Sequence, residues 1–102
     1  MVNLLLVSLM NKDVIKKIAN NFGIVNQENK LIEELSELIK ELSILHQENS
    51  QAEKDNVIEE MSDVIILIYQ LIYLYEVDEK IEEIIEYKLN RTIQRIEQNY
   101  YK

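Results

Sequence analysis

Apolar residues recur at helical spacing along most of this chain. The clearest case lies between residues 26 and 46, where leucines follow a 4-3-4-3 spacing: Leu31, Leu35, Leu38, Leu42 and Leu45. This spacing places the side chains on one face of a helix. We therefore predict a helix over 26–46 whose leucines form an inner seam, with Glu34, Glu37 and Glu41 beside it.

The same reasoning predicts three further helices. A first helix over 11–21 begins at Asn11 or Asp13. It ends at Gly23, the only glycine, because glycine is favoured at the position that follows a helix. A third helix is expected over 55–75 and a fourth over 78–100, the latter capped by Asp78. Residues 47–54 lack apolar periodicity and are predicted to form a loop. The short connection between helices three and four predicts that they pack as antiparallel neighbours.

The third predicted helix is apolar on all sides in its second half. From Val64 to Tyr75 the only clearly polar side chain is Gln70. A helix of this kind cannot face water on any side, and its apolar part is too short to span a bilayer. We therefore expect it at the centre of an all-α four-helix bundle that forms oligomers through this helix.

Composition supports a single helical domain over residues 1–102. The chain has no proline, one glycine and 47% hydrophobic residues, which disfavours a turn-rich β fold. A chain of this length buries only a modest core, so we expect a homodimer or homotetramer. Val2–Met10 is a poor signal peptide, and Met10 is a plausible alternative start, so residues 1–9 are treated as an uncertain extension.

Charge and cysteine content exclude several classes of partner. The formal net charge is −8, whereas a polynucleotide-binding protein normally carries a basic face. The absence of cysteine excludes disulfides and thiolate metal sites, and it fits a cytoplasmic protein. We expect neither nucleic-acid binding nor membrane insertion.

Two carboxylate pairs are the candidate site. Glu34 and Glu37 lie three residues apart on the second predicted helix, and Glu60 and Asp63 do so on the third. If these helices pack antiparallel, the four carboxylates converge, and two like charges at 4 Å repel by about 4 kcal/mol at an effective dielectric of 20. Protonation or a cation must relieve this repulsion, and oxygen ligands favour Mg²⁺, with Mn²⁺ possible. Each pair taken alone is more often a solvated helix surface.

At these motifs the chain resembles the MazG-like all-α nucleoside triphosphate pyrophosphohydrolases, specifically a small stand-alone member of bacterial or phage type. The resemblance runs from about residue 11 to 95. It rests on Phe22-Gly23, on Gln27 and on three segments: KLIEELSELIKEL (30–42), EEMSDVIILIYQL (59–71) and KLNRTIQR (88–95). Ser62 stands where the family often has glycine.

The resemblance implies a four-helix catalytic core that assembles as a dimer or tetramer. It also implies Mg²⁺-dependent hydrolysis of a (d)NTP between the α and β phosphates, giving (d)NMP and pyrophosphate. The implied catalytic and metal-binding residues are Glu34, Glu37, Glu60 and Asp63. The implied phosphate-binding residues are Lys88, Asn90, Arg91 and Arg95. Basic residues near the end of a helix also complement its dipole without binding any ligand.

The main alternative is a non-catalytic helical homo-oligomer that acts as a scaffold or a protein-binding module. It explains the apolar third helix and the charge equally well, but not two ordered carboxylate pairs followed by a basic group. A di-iron bundle is weaker still, because it requires Glu-x-x-His motifs and the chain has one histidine, His46.

Overall fold

The computed structural model describes residues 11–98, and this part of the chain forms helices with no strand. The helices are α1 (Lys12–Phe22), α2 (Ile24–Glu48), α3 (Gln51–Tyr75) and α4 (Asp78–Glu97). The predicted all-α class with four helices is thereby confirmed. The N-terminal extension at 1–9 and the last positions of the predicted fourth helix lie outside the described residues. No helix between residues 11 and 98 combines the length and the apolar character needed to cross a membrane.

The ends of α1 follow the sequence prediction. The side chain of Asn11 accepts a hydrogen bond from the backbone N–H of Val14 at 3.1 Å, which caps the first turn. Gly23 ends the helix with φ of 84°, a conformation that favours glycine. Its N–H donates to the carbonyl oxygen of Ala19 at 2.8 Å.

The loop predicted over 47–54, for which a part-helical form was the alternative, is limited to Asn49 and Ser50, which alone separate α2 from α3. Asn49 adopts the left-handed conformation, with φ of 49°, and ends α2. The hydroxyl of Ser50 then accepts the backbone N–H of Glu53 at 3.1 Å and begins α3. Residues 51–54 therefore form the first turn of a helix. The turn is rich in polar residues, so the segment shows no apolar periodicity.

The helices α2 and α3 form an antiparallel hairpin that is the main packed unit of the chain. Their inner faces meet in a small apolar layer that α1 extends at one end: Ala19, Val57, Val64, Leu67 and Leu71 are buried. Within this layer, Gln27 donates a hydrogen bond through its side-chain nitrogen to the side-chain oxygen of Gln70 at 2.6 Å. Both amides are buried, so the pairing satisfies groups that would otherwise be costly to bury.

The predicted leucine seam of the second helix needs correction. Leu35 and Leu42 are exposed, at 39% and 46%, because the inner face of α2 runs instead through Gln27, Leu31, Glu34, Leu38 and Glu41. In α3, Ile66 and Ile68 are exposed, at 41% and 40%, because α1 and α2 cover only part of its circumference. The expectation that further copies cover the rest of α3 stays a prediction.

Contrary to the sequence prediction, the fourth helix does not pack along α3. It contacts α3 alone among the described helices, at few positions, and none of its residues is buried. Its N-cap is Val77, whose side chain makes no capping hydrogen bond, and the predicted cap, Asp78, is the first residue of the helix. The connection turns at Glu76, which is left-handed with φ of 56°. The apolar stripe of α4 therefore has no counterpart within the described chain.

Candidate metal centre

Three of the four predicted carboxylates meet where α2 and α3 pack together. One carboxylate oxygen each from Glu34, Glu60 and Asp63 lies within 4.8 Å of the other two. Glu34 and Glu60 are half-buried, because each occupies an inner position of its helix, whereas Asp63 is exposed. The antiparallel packing therefore converts two motifs that are distant in sequence into one cluster.

Glu60 is the most perturbed member of this cluster. Its hydrogen bond with the Glu34 carboxyl raises its pKa to about 7, and burial and the charges of Glu34, Asp63 and Glu37 add to the effect. The Oε2 atom of Glu60 is buried and has no hydrogen-bond partner between residues 11 and 98. The raised pKa favours the protonated form of Glu60, which reduces the repulsion among the three carboxylates.

Lys30 partly compensates the charge. Its ammonium lies 3.4 Å from an oxygen of Glu34 and 3.5 Å from one of Glu33. The hydrogen bond with Glu34 and the charge of Glu33 raise the pKa of Lys30. The Lys30 side chain is 50% exposed, so water screens this interaction, and Glu60 keeps its raised pKa.

The fourth predicted acid, Glu37, lies at the edge of the cluster. It is exposed and is not among the three residues whose oxygens converge. Its charge nevertheless contributes to the raised pKa of Glu60. The structure thus gives Glu37 a position beside the cluster, where its carboxylate remains accessible to water.

The four predicted phosphate-binding residues all lie on α4, which does not contact α2. Lys88 and Asn90 are exposed, and Arg91 and Arg95 are half-buried. The guanidinium of Arg91 lies over the ring of Tyr87, 5.5 Å from its centroid, and its Nε is buried without a hydrogen-bond partner in the described part of the chain. One copy therefore does not place this basic group against the carboxylate of Glu34.

A second pair of acids, Glu41 and Glu53, was missed by the sequence prediction. Glu53 is 6% exposed, and its hydrogen bond with Glu41 raises the pKa of Glu41, with smaller contributions from burial and the charge of Glu53. The side-chain amide of Asn56 donates to Glu53 at 3.3 Å. The missed signal was spacing, since Glu53 precedes Glu60 by seven residues and Glu41 follows Glu34 by seven, which keeps each on the same helix face.

Two tyrosines at the end of α3 use their hydroxyl groups to contact the neighbouring helices. The hydroxyl of Tyr73 pairs with the side-chain amide of Asn20, at 2.9 and 3.1 Å. The hydroxyl of Tyr75 donates to the carboxylate of Glu28. These contacts join α1 and α2 to the end of α3.

The donor set of the cluster fits a hard divalent cation. All three groups are carboxylates, and the buried Oε2 of Glu60 lacks a partner among the described residues. Oxygen ligands of this kind suit Mg²⁺ or Mn²⁺ better than Zn²⁺, which favours nitrogen and sulfur. Comparisons of the chain with models of protein families, with curated proteins and with solved structures find no match.

Proposed function

We propose that the protein is a MazG-like pyrophosphohydrolase that hydrolyses nucleoside triphosphates between the α and β phosphates with the help of Mg²⁺ or Mn²⁺. The observation that carries this proposal is the convergence of Glu34, Glu60 and Asp63 within 4.8 Å across two helices. An isolated pair of acids on a helix is commonplace, but a converging set with a half-buried member whose pKa is raised is not explained by solvation.

The carboxylates of Glu34, Glu60 and Asp63 would hold the cation. When bound, it would neutralise triphosphate charge, polarise the α-phosphorus and lower the pKa of water. Glu37 lies beside the cluster and is exposed, so its carboxylate is available to orient or deprotonate the attacking water. Proton transfer to this group leaves hydroxide to attack the α-phosphorus, and the bond to the β-phosphate oxygen breaks.

The leaving pyrophosphate requires positive charge. We assign this role to Lys88 and Arg91, whose side chains can donate hydrogen bonds to phosphate oxygens. Asn90 and Arg95 are further candidates on the same helix. Because α4 does not contact α2 in one copy, this part of the proposal requires α4 to approach the cluster when substrate binds or when copies assemble.

Pyrophosphate release from a panel of canonical and modified (d)NTPs tests the proposal. We expect release that depends on Mg²⁺ or Mn²⁺ and that is abolished in Glu60→Gln. The matched control is Glu59→Gln, which changes an exposed neighbouring acid outside the cluster and should retain activity. Normal activity in folded Glu60→Gln, or no release from any triphosphate, would contradict the assignment.

A non-catalytic helical scaffold is the second candidate, and the exposed apolar stripes of the helices favour it. A thermal melt with and without metal separates the two. A cation at 100 times its dissociation constant stabilises the fold by about 2.7 kcal/mol. A scaffold without a metal site predicts the same melting temperature with Mg²⁺, with Mn²⁺ and with a chelator.

A further inference from the structure

Near its turn, the α2–α3 hairpin buries an acid that the metal centre does not use. Glu53 is only 6% exposed, and it lies three residues after Ser50, the residue that caps the start of α3. A carboxyl group that is removed from water needs a proton, a cation or hydrogen-bond donors. The groups around Glu53 therefore decide the charge state in which it can stay buried.

The register of the hairpin places a second acid opposite Glu53. Glu41 follows Glu34 by seven residues on α2, and Glu53 precedes Glu60 by seven residues on α3. Because Glu34 and Glu60 meet across these antiparallel helices, the next pair along the same two faces also meets. Glu41 is half-buried, and its carboxyl forms a hydrogen bond with that of Glu53. A hydrogen bond between two carboxyl groups requires a proton on one of them.

The other polar groups around this pair give only partial compensation for charge. Glu37 and Lys40 lie on α2 with Glu41, and their charges act on it in opposite directions. On α3, the side-chain amide of Asn56 donates a hydrogen bond to Glu53 at 3.3 Å. The pKa of Glu41 is raised above its ordinary value of 4.5, first by the hydrogen bond with Glu53, then by burial and by the charge of Glu53. The contact between the two acids is therefore complete below that ordinary value and is lost as pH rises through the raised pKa.

The sequence offers the Glu53 carboxylate a second position. Ser50 and Glu53 have the spacing of a capping box, in which the side chain of the third helical residue accepts the backbone N–H of the cap residue. Ser50 already makes its half of this motif, because its hydroxyl accepts the backbone N–H of Glu53 at 3.1 Å. Among residues 11–98, however, the carboxyl of Glu53 bonds to Glu41 and Asn56. In the capping position the carboxylate would lie at the positive end of the helix dipole, which favours negative charge.

We propose that Glu53 is a pH switch that opens and closes the turn end of the α2–α3 hairpin. With a proton on one of the two carboxyl groups, Glu53 bonds to Glu41 and ties the first turn of α3 to α2. When water takes that proton, two negative charges face each other where water is largely excluded, and they repel. The Glu53 carboxylate then turns to the backbone N–H of Ser50, and the tie between the helices is released.

Amide hydrogen exchange of residues 44–56 in the metal-free protein tests the switch. The reference is Glu60→Gln, which cannot ionise at the cluster seven residues away, so pH effects at the turn are not confused with those at the metal centre. After correction for the intrinsic pH dependence of exchange, protection in the reference should fall at least several-fold between about pH 5 and pH 8. Adding Glu41→Gln should keep the protection at pH 8, because the new amide can donate to the Glu53 carboxylate at every pH. Adding Glu48→Gln, which changes an exposed acid at the end of α2, should leave the fall unchanged.

The signal of the Ser50 backbone amide in an NMR titration provides a second measurement, which needs no change at Glu41. When the Glu53 carboxylate reaches the capping position, the Ser50 amide gains a charged hydrogen-bond acceptor, and its proton signal should move downfield. This movement should have the same midpoint as the titration of the Glu41 and Glu53 carboxyl carbons. Glu53→Gln should abolish the movement, because its amide carries no charge at any pH.

Three results would overturn the proposal: protection around the turn that is the same at both pH values, a fall in protection that Glu41→Gln does not remove, or a Ser50 amide signal that does not follow the carboxyl titration. None of these readouts depends on hydrolysis or on a bound cation. Failure of the proposed activity therefore leaves the test of the switch intact, and failure of the switch leaves the proposed activity untouched.

Discussion

The two sides of the α2–α3 hairpin are built from the same helices, and they differ completely in chemistry. One side carries the carboxylates of Glu37 and Asp63 beside the half-buried Glu34 and Glu60, and the other exposes isoleucine, leucine and methionine. Both sets follow helical spacing. The inner contact of the hairpin therefore divides the outer part of each helix into an acidic surface and an apolar surface.

Truncating two neighbouring residues of α3 should have different effects on stability, because one lies in the inner layer of the hairpin and the other on its exposed apolar side. Leu67 is buried, at 5% exposure, whereas Ile68 is 40% exposed. Leu67→Ala should lower the free energy of unfolding by about 2–5 kcal/mol at every protein concentration. Ile68→Ala should cost less, because part of the Ile68 side chain is already in contact with water. Urea unfolding measures both losses, and equal losses would contradict the difference between the inner layer and the exposed side.

On the acidic side, Asp63→Asn should weaken the binding of Mn²⁺ to the carboxylate cluster. It should have little effect on the fold, because Asp63 is exposed. We expect at least a roughly 100-fold loss of Mn²⁺ affinity, since even changes behind a metal ligand cost about 10- to 100-fold. The rise in melting temperature on adding Mn²⁺ should disappear. Asp55→Asn, an exposed change earlier in α3, is the control and should keep the full rise. The assignment fails if the two variants respond to Mn²⁺ alike.

The pH dependence of stability should depend on the acidic side. In the metal-free folded chain the pKa of Glu60 is about 7, above its ordinary value of 4.5. Between these values the folded chain holds a proton that the unfolded chain has released, so the free energy of unfolding falls as pH rises through this window. Glu60→Gln cannot ionise and should reduce the decline, whereas Glu59→Gln should not. Denaturation in a chelator across pH 4 to 8 checks this, and identical declines in the two variants would contradict the raised pKa of Glu60.

The smallest expected effect concerns Lys30, the cation that already contacts the cluster. Its side chain is 50% exposed, so water and salt screen this ion pair. Lys30→Met should therefore change the free energy of unfolding only slightly, and the difference should shrink in high salt. A large loss of stability in urea unfolding would show that Lys30, rather than a cation or proton, holds the carboxylates together.

Much of the fold could be predicted from helical spacing and capping residues. The four helices, the start of α1 at Asn11 and its end at Gly23 are confirmed by the structure. The loop predicted over 47–54 was too long because a first helical turn rich in polar residues has no apolar signal, and its capping residue, Ser50, was overlooked. The predicted packing of α4 along α3 was also wrong, since a short connection limits the distance between the two helix ends but not the direction in which the second helix runs.

Helical spacing also made part of the candidate site predictable. Spacing identifies which acids share a helix face, and the antiparallel hairpin then brings Glu34, Glu60 and Asp63 together. Spacing cannot place the edge of the cluster, so the exposed position of Glu37 emerged only from the packed helices. The pairing of half-buried Glu41 with buried Glu53 depends on the register of the hairpin, which single helices do not encode.

Calorimetric titration of the metal-free protein with Mn²⁺ tests the central claim most directly, because it measures the cluster without assuming a substrate. Wild type and Glu59→Gln should show the same saturable binding, and Glu60→Gln should show at least a roughly 100-fold weaker affinity. Binding by wild type should also release protons near pH 6, because the cation displaces the proton held by Glu60. An absence of saturable binding by wild type, or equal binding by Glu60→Gln, would contradict the assignment of this cluster as a metal centre.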